Sequence, residues 1–187
     1  MQLLPARISD APVYARIHVD SWRAAYRELI PDSYIERFTY ELREQRFRQS
    51  LAANAEETYL IQQNDQVVGI LTLGVARDSD VDVHRTGEIW GIYLSPNYWR
   101  KGIGRQVVRE AESMLQARGY ETIILWVLEK NQQARQFYEA MGFSADGASK
   151  SIDWGTPLKA VRYRKVLQTN RSERQENTAE NTRAAWT

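Results

Sequence analysis

The chain has 187 residues, with 25 lysines and arginines against 24 aspartates and glutamates and a formal net charge of +1, so no global charge favours nucleic acid or an anionic membrane. It has no cysteine and two histidines, His18 and His84, which excludes disulfides, thiolate metal sites and a cysteine nucleophile and argues against a multi-histidine metal centre. No apolar run approaches the roughly 18 residues of a spanning helix, and the opening Met-Gln-Leu-Leu-Pro-Ala-Arg lacks a secretory core; the expectation is a soluble, cytoplasmic protein.

Residues 3–8 read as a first strand. Ser9-Asp10 then offers N-cap chemistry for a helix over 12–28, with Pro12 in its first turn and Ile17, Ala24 and Ala25 as its buried face. Leu29-Ile30-Pro31-Asp32-Ser33 breaks that helix and Pro31 opens the next. Helical spacing continues through Tyr34, Ile35, Phe38, Leu42, Phe47 and Leu51, interrupted near Thr39. The aromatic residues Trp22, Tyr26, Tyr34 and Tyr40 fit either helix packing or the wall of a substrate pocket. Residues 57–63 and 66–75 read as a hairpin joined by Asn64-Asp65. The acid-rich stretch 76–85, with Asp78, Asp80, Asp82 and His84, lacks the glycine and terminal glutamate of an EF-hand and reads as a solvated loop.

The chain is organised around Glu-Ile-Trp-Gly-Ile-Tyr-Leu-Ser-Pro-Asn-Tyr-Trp-Arg-Lys-Gly-Ile-Gly-Arg, residues 88–105. Its first half is a strand rich in β-branched and aromatic residues, ended by Ser-Pro. Its second half is a glycine turn flanked by Arg100, Lys101 and Arg105. A helix follows, with Ile103, Val107, Val108, Ala111, Met114 and Leu115 at helical spacing. A strand, a basic glycine turn and a helix start direct backbone N–H groups and a positive dipole end at an anion such as a phosphate. Gly102 and Gly104 permit close approach and positive φ. The P-loop needs Gly-Lys-Ser/Thr, absent here, and the dinucleotide fingerprint needs a third glycine where Val107 stands. A basic Gly-x-Gly alone also fits an ordinary turn. Within the strand, Gly91 marks a bulge or a close backbone approach to a ligand. Glu88 fits a solvated strand end or a carboxylate held near a reaction centre.

Residues 122–128 read as a central strand parallel to the organising one across a helical crossover. A helix over 131–141 buries Ala134, Phe137, Tyr138 and Met141 and ends at Gly142. Closing strands follow at 148–154 and 158–167, turned by Gly155-Thr156-Pro157. From 168 the composition becomes Asn, Gln, Glu, Arg, Ser and Thr, read as a disordered tail after one domain over 1–167. The fold class is mixed α/β.

Glu-Ile-x-x-Ile-Tyr-Leu-x-Pro, then Arg-Lys-Gly-Ile-Gly-Arg, then Asn131-x-x-Ala134-x-x-x-Tyr138-x-x-x-Gly142-Phe143 resembles the GNAT superfamily of acetyl-CoA-dependent N-acetyltransferases. The likeness is strong over 86–143, and the upstream Ser-Trp-Arg-Ala-Ala-Tyr…Leu-Ile-Pro resembles a bacterial small-enzyme branch. One departure is Trp99, where the family pattern prefers Gln or Arg. The resemblance implies a mostly antiparallel sheet with a splayed parallel strand pair flanked by helices. It implies that backbone groups of Ile92, Tyr93 and Leu94 hold the pantetheine arm of acetyl-CoA. The loop Arg100, Lys101, Gly102, Ile103, Gly104 and Arg105 would take the pyrophosphate, and Asn131 would bind the cofactor arm. A strand amide near Tyr93 would polarise the thioester carbonyl.

An ammonium acceptor must lose a proton before it can attack. Glu88, directly or through water, is the candidate base, and Tyr138 the candidate proton donor to the departing thiolate; by itself Tyr138 also fits a helix tyrosine packed with Phe137. The expected reaction is acetyl transfer from acetyl-CoA to a small-molecule amine, without a metal, nucleic acid or membrane, and a homodimer is a family expectation. Alternatives are acetylation of a protein or peptide amine, a non-catalytic acyl-CoA-binding module and a nucleotide-binding protein.

Overall fold

The computed structural model describes residues 1–53 and 56–168. Among them, seven strands form one sheet: β1 (Gln2–Pro5), β2 (Glu57–Gln63), β3 (Gln66–Val75), β4 (Thr86–Leu94), β5 (Thr122–Leu128), β6 (Ser144–Asp153) and β7 (Pro157–Val166), in the order β1-β2-β3-β4-β5-β7-β6. The β4–β5 pair is parallel and the other neighbours are antiparallel. The helices are α1 (Ala11–Tyr26), α2 (Asp32–Ile35), α3 (Tyr40–Ala52), α4 (Ile103–Ala117) and α5 (Gln132–Ala140). The expected mixed sheet with one parallel pair flanked by helices is therefore the observed one.

Local chemistry sets most boundaries. Asn64 and Asp65 have φ of +48° and +59°, the left-handed pair that lets a two-residue turn match the twist of its strands. Thr39 interrupts the second helical stretch because it caps α3, its Oγ1 accepting from Leu42 N–H at 3.2 Å. The first strand stops at Pro5 rather than at residue 8, since residues 8–10 wind into a 3-10 turn whose Asp10 carboxylate accepts from Arg7 N–H at 2.7 Å. The closing strand β6 begins at Ser144, earlier than expected, and absorbs an irregularity between Ala145 and Ser149.

The buried face of α1 comprises Ala11, Tyr14, Ala15, Ile17, His18, Val19, Ser21 and Trp22. Ala24 is exposed, contrary to expectation, because helical rotation places it away from the 11/14/15/18/22 stripe. One sheet face packs Leu71, Leu73, Ile89, Ile123 and Leu125 against Ile103, Val107, Val108, Ala111 and Leu115 of α4. On the other, Leu60 and Ile70 pack with Ala11, Tyr14 and Ile17 of α1 and Phe47 of α3. An aromatic cluster lies beside Leu128, Leu158 and Ala160 and contains Trp22, Tyr26, Tyr34, Phe38 and Trp154. Tyr40 leaves that cluster: it is exposed and donates to Asp20 at 2.6 Å. Residues 169–187, most of the expected disordered tail, lie outside the described residues. Among the described residues, no helix is long and apolar enough to cross a membrane.

Candidate active site

β4 and β5 pair only over 86–88 and 122–124. Beyond that point the strands part, and backbone groups of 89–94 that face β5 have no ladder partner there. A bulge accompanies the opening: Thr72 is opposite Gly91 and Leu73 opposite Ile89, leaving Trp90 as the extra residue. Tyr93 folds back over Gly91, so that a Cβ there would lie 2.7 Å from the Tyr93 ring edge and the ring would have to move aside.

The gap is a cleft of about 700 Å³. Its walls are Ile89 to Leu94 of β4, Leu125 to Val127 of β5, α5 residues including Ala134, Phe137 and Tyr138, and Ser21, Ala25 and Tyr26 of α1. At one end stands the N-terminus of α4. Arg100 and Gly102 both adopt left-handed backbone, with φ of +58° and +81°, turning the chain so that the first turn of α4 presents N–H groups without helical acceptors. Arg100, Gly102, Gly104 and Arg105 line the cleft. Lys101 does not; its Nζ lies 5.3 Å from the Tyr98 ring centroid. Ile103 points into the core. At Gly104 a Cβ would come within 3.2 Å of the Phe137 ring tip, a tight contact to which that ring would have to yield. Trp99, the departure from the family pattern, lines the cleft and donates its indole N–H to Leu94 O at 2.7 Å. That bond ties the loop to the strand and occupies the Leu94 carbonyl.

Asn131 lines the same cleft and caps α5, its Oδ1 accepting from Ala134 N–H at 3.1 Å. Tyr138 is half-buried in the cleft wall. Desolvation, reinforced by nearby Tyr93, raises its phenol pKa. Burial likewise raises Tyr26, with Tyr93 and Tyr138 adding to it. These phenols therefore stay protonated at neutral pH.

Glu88 is not a solvated strand end. It is 1% exposed, and its carboxylate accepts from Arg77 N–H, Nε and Nη2 at 3.0, 3.1 and 2.5 Å. It stands one residue before Ile89, where the cleft lining of β4 begins.

The 76–85 stretch is not simply a solvated loop either. Arg162, 6% exposed, donates to Asp78, Asp80 and Asp146 at 2.7–3.0 Å. Asp78 Oδ2 also accepts the Trp126 indole N–H at 3.0 Å. Trp126 lies opposite Arg162 in the β5–β7 register and forms part of the cleft wall. Lys150 Nζ lies 3.8 Å from the Trp126 ring centroid, and the Arg77 guanidinium 4.2 Å from that of Trp90. Sequence reasoning missed Arg77, Trp90, Trp126, Lys150 and Arg162. Only Arg162 carries a legible signal: in β7 it continues the inward register of Leu158 and Ala160, and a charge at such a position requires partners. Among the described residues, no group of three or more His, Asp or Glu side chains is placed to hold a metal ion.

The cleft, the anion-directed helix start and the buried phenol agree with what the chain is similar to. An N-acetyltransferase of uncharacterised role from Bacillus subtilis, YuaI, is 29% identical over 136 residues, covering 72% of this chain and 75% of that one. A spermidine N(1)-acetyltransferase from Thermoplasma acidophilum is 26% identical over 151 residues, covering 77% and 88%. The putative acetyltransferase yncA of Salmonella typhimurium, solved with acetyl-CoA, shares the fold with a TM-score of 0.65 at 17% identity, over 91% of this chain and 95% of that one. The model of the acetyltransferase (GNAT) family matches residues 22–143, and the chain belongs to that family of acetyl-CoA-dependent N-acetyltransferases.

Proposed function

We propose that the protein transfers the acetyl group of acetyl-CoA to the primary amine of a small molecule. The observation that carries this reading is the cleft itself, which joins the N–H-rich start of α4 to the Ser21, Ala25 and Tyr26 wall of α1 past the half-buried Tyr138. The spermidine-acetylating relative supports a small amine as the acceptor.

Acetyl-CoA supplies the acetyl thioester; the chain supplies position and protons. Amides of 102–105 and the guanidiniums of Arg100 and Arg105 hold the pyrophosphate. Lys101 contributes long-range charge and Ile103 its backbone N–H. Backbone groups of Ile92 and Leu94, which alternate onto the gap side of β4 while Tyr93 pairs with Ile70, hold the pantetheine arm, Leu94 acting through its amide because Trp99 occupies its carbonyl. A donor near Tyr93 aimed at the thioester oxygen is worth about 2.7–4 kcal/mol of barrier. The Asn131 amide group, its oxygen engaged in the cap, offers its NH₂ to the same arm.

Tyr138, kept protonated by burial, donates to the departing thiolate. Glu88 takes the amine proton through water, because its carboxylate is committed to Arg77 and sits outside the cleft lining.

Thiol release from acetyl-CoA across a panel of small amines tests the reading, with acetyl-CoA binding measured in parallel. Glu88→Gln should lower kcat by about 10²–10⁴-fold while leaving acetyl-CoA affinity within a factor of about two, a negligible change on the free-energy scale. A parent protein that binds acetyl-CoA but turns over no amine would be a binding module. Acceptance of peptide N-termini alone would refute the small-molecule acceptor.

A further inference from the structure

The acceptor end of the cleft has a chemistry of its own. Among the described residues, no aspartate or glutamate lines the cleft. Glu88, next to the cleft lining of β4, and Asp78, bonded to the lining Trp126, are already engaged. Glu88 accepts three bonds from Arg77, and Asp78 accepts from both Arg162 and the Trp126 indole. The tryptophans that flank the opening, Trp90 on β4 and Trp126 on β5, each carry a cation against the ring, Arg77 at 4.2 Å and Lys150 at 3.8 Å from the centroid. The remaining surface toward α1 is Ser21, Ala25 and Tyr26, backed by the cluster of Trp22, Phe38 and Trp154.

A bound polyamine must satisfy several ammonium groups at once, by carboxylates or by open aromatic faces. Here no carboxylate lines the cleft, and each flanking tryptophan already carries one of the protein's own cations on a ring face. A monoamine meets the opposite situation. Its single ammonium must become the neutral amine before attack, which a cleft lined by no carboxylate favours, while an aromatic or aliphatic body packs against Tyr26 and the aromatic cluster behind it.

Resting on the acetyl-transfer reading, we infer that the acceptor is a monoamine carried on an aromatic or apolar body, and not a polyamine. This separates the protein from its spermidine-acetylating relative in specificity while leaving the coenzyme half of the cleft unchanged.

The test compares tryptamine and 2-phenylethylamine with spermidine and spermine, following thiol release with acetyl-CoA in excess. At least one aromatic monoamine should exceed both polyamines in kcat/KM by tenfold or more, about 1.4 kcal/mol of discrimination. Equal or faster acetylation of a polyamine would overturn the inference. Should none of the four turn over, calorimetric titration into the coenzyme A complex decides by the same ratio. Polyamine binding as tight as that of the monoamines, or no monoamine binding at all, overturns it. Lys150→Glu, which places a carboxylate against Trp126, should raise the spermidine-to-phenylethylamine ratio about tenfold; an unchanged ratio counts against the inference. Direct titration with acetyl-CoA separates the two levels, since a protein that fails to bind it loses the functional reading and the inference with it.

Discussion

Arg162→Met is the perturbation whose cost follows most directly from the structure. The arginine is buried and holds three carboxylates, of which Asp78 and Asp146 have side chains only 17% and 16% exposed and Asp80 is 61% exposed. Methionine preserves much of the apolar stem but leaves two poorly hydrated carboxylates without their counter-ion. Removing one partner of a buried pair typically costs 3–5 kcal/mol, whereas the exposed Asp80 simply rehydrates. We therefore expect a loss of about 3 kcal/mol. At 2–4 °C per kcal/mol for a chain of this size, that lowers Tm by roughly 6–12 °C. Urea denaturation of the parent, Arg162→Met and Asp80→Asn gives the comparison, with Asp80→Asn expected to lose far less than Arg162→Met. The change should also reach the site, because Asp78 orients the Trp126 indole and the adjacent Arg77 covers Glu88. Acceptor KM should rise while acetyl-CoA affinity holds. An Arg162→Met loss no larger than that of Asp80→Asn would refute the view of Arg162 as a buried clamp.

Asn131 allows capping and coenzyme binding to be separated. Asn131→Ala should cost about 1 kcal/mol of stability through the lost cap. Asn131→Asp keeps the acceptor for Ala134 N–H but removes the NH₂ group, so it should retain Tm and weaken acetyl-CoA binding; unchanged binding would confine Asn131 to the cap. His18 gives a pH signature. It is 3% exposed, and its pKa is pushed well below 6.5 by burial and, secondarily, by Arg43. The unfolded chain therefore binds a proton below about pH 6.5 that the folded protein refuses. Stability is full above that pH and falls as the pH drops, with a limiting slope of about 1.4 kcal/mol per pH unit. His18→Phe should flatten that part of the stability–pH curve, and an unchanged slope would reject the assignment.

The strand–turn–helix at 88–105 was legible because each step has a local cause: β-branched and aromatic residues, Ser-Pro, and a glycine that reaches φ of +81°. The Asn64-Asp65 hairpin and the apolar stripe of α4 were legible for the same reason. Side-chain destinations in the site were not. Glu88 reads as a solvated or reactive carboxylate until folding brings Arg77, eleven residues back along the chain, onto both its oxygens. The acid-rich loop reads as solvated because its partner, Arg162, lies more than eighty residues away in sequence. Trp126 looks like one more apolar residue of a central strand, and only the parting of β4 from β5 makes it a wall of the cleft. Pairings at this separation leave no local pattern, so composition and periodicity are blind to them.

The most direct test of the central claim, that the cleft binds acetyl-CoA and Tyr138 delivers the proton that releases coenzyme A, is Tyr138→Phe assayed for both acetyl-CoA affinity and kcat on the best small amine. The variant keeps the ring packed on Phe137 and Phe143 and removes only the hydroxyl. The account predicts an unchanged Kd for acetyl-CoA and a kcat lowered by about 10²–10⁴-fold. An unchanged kcat, or a loss confined to acetyl-CoA binding, would contradict it.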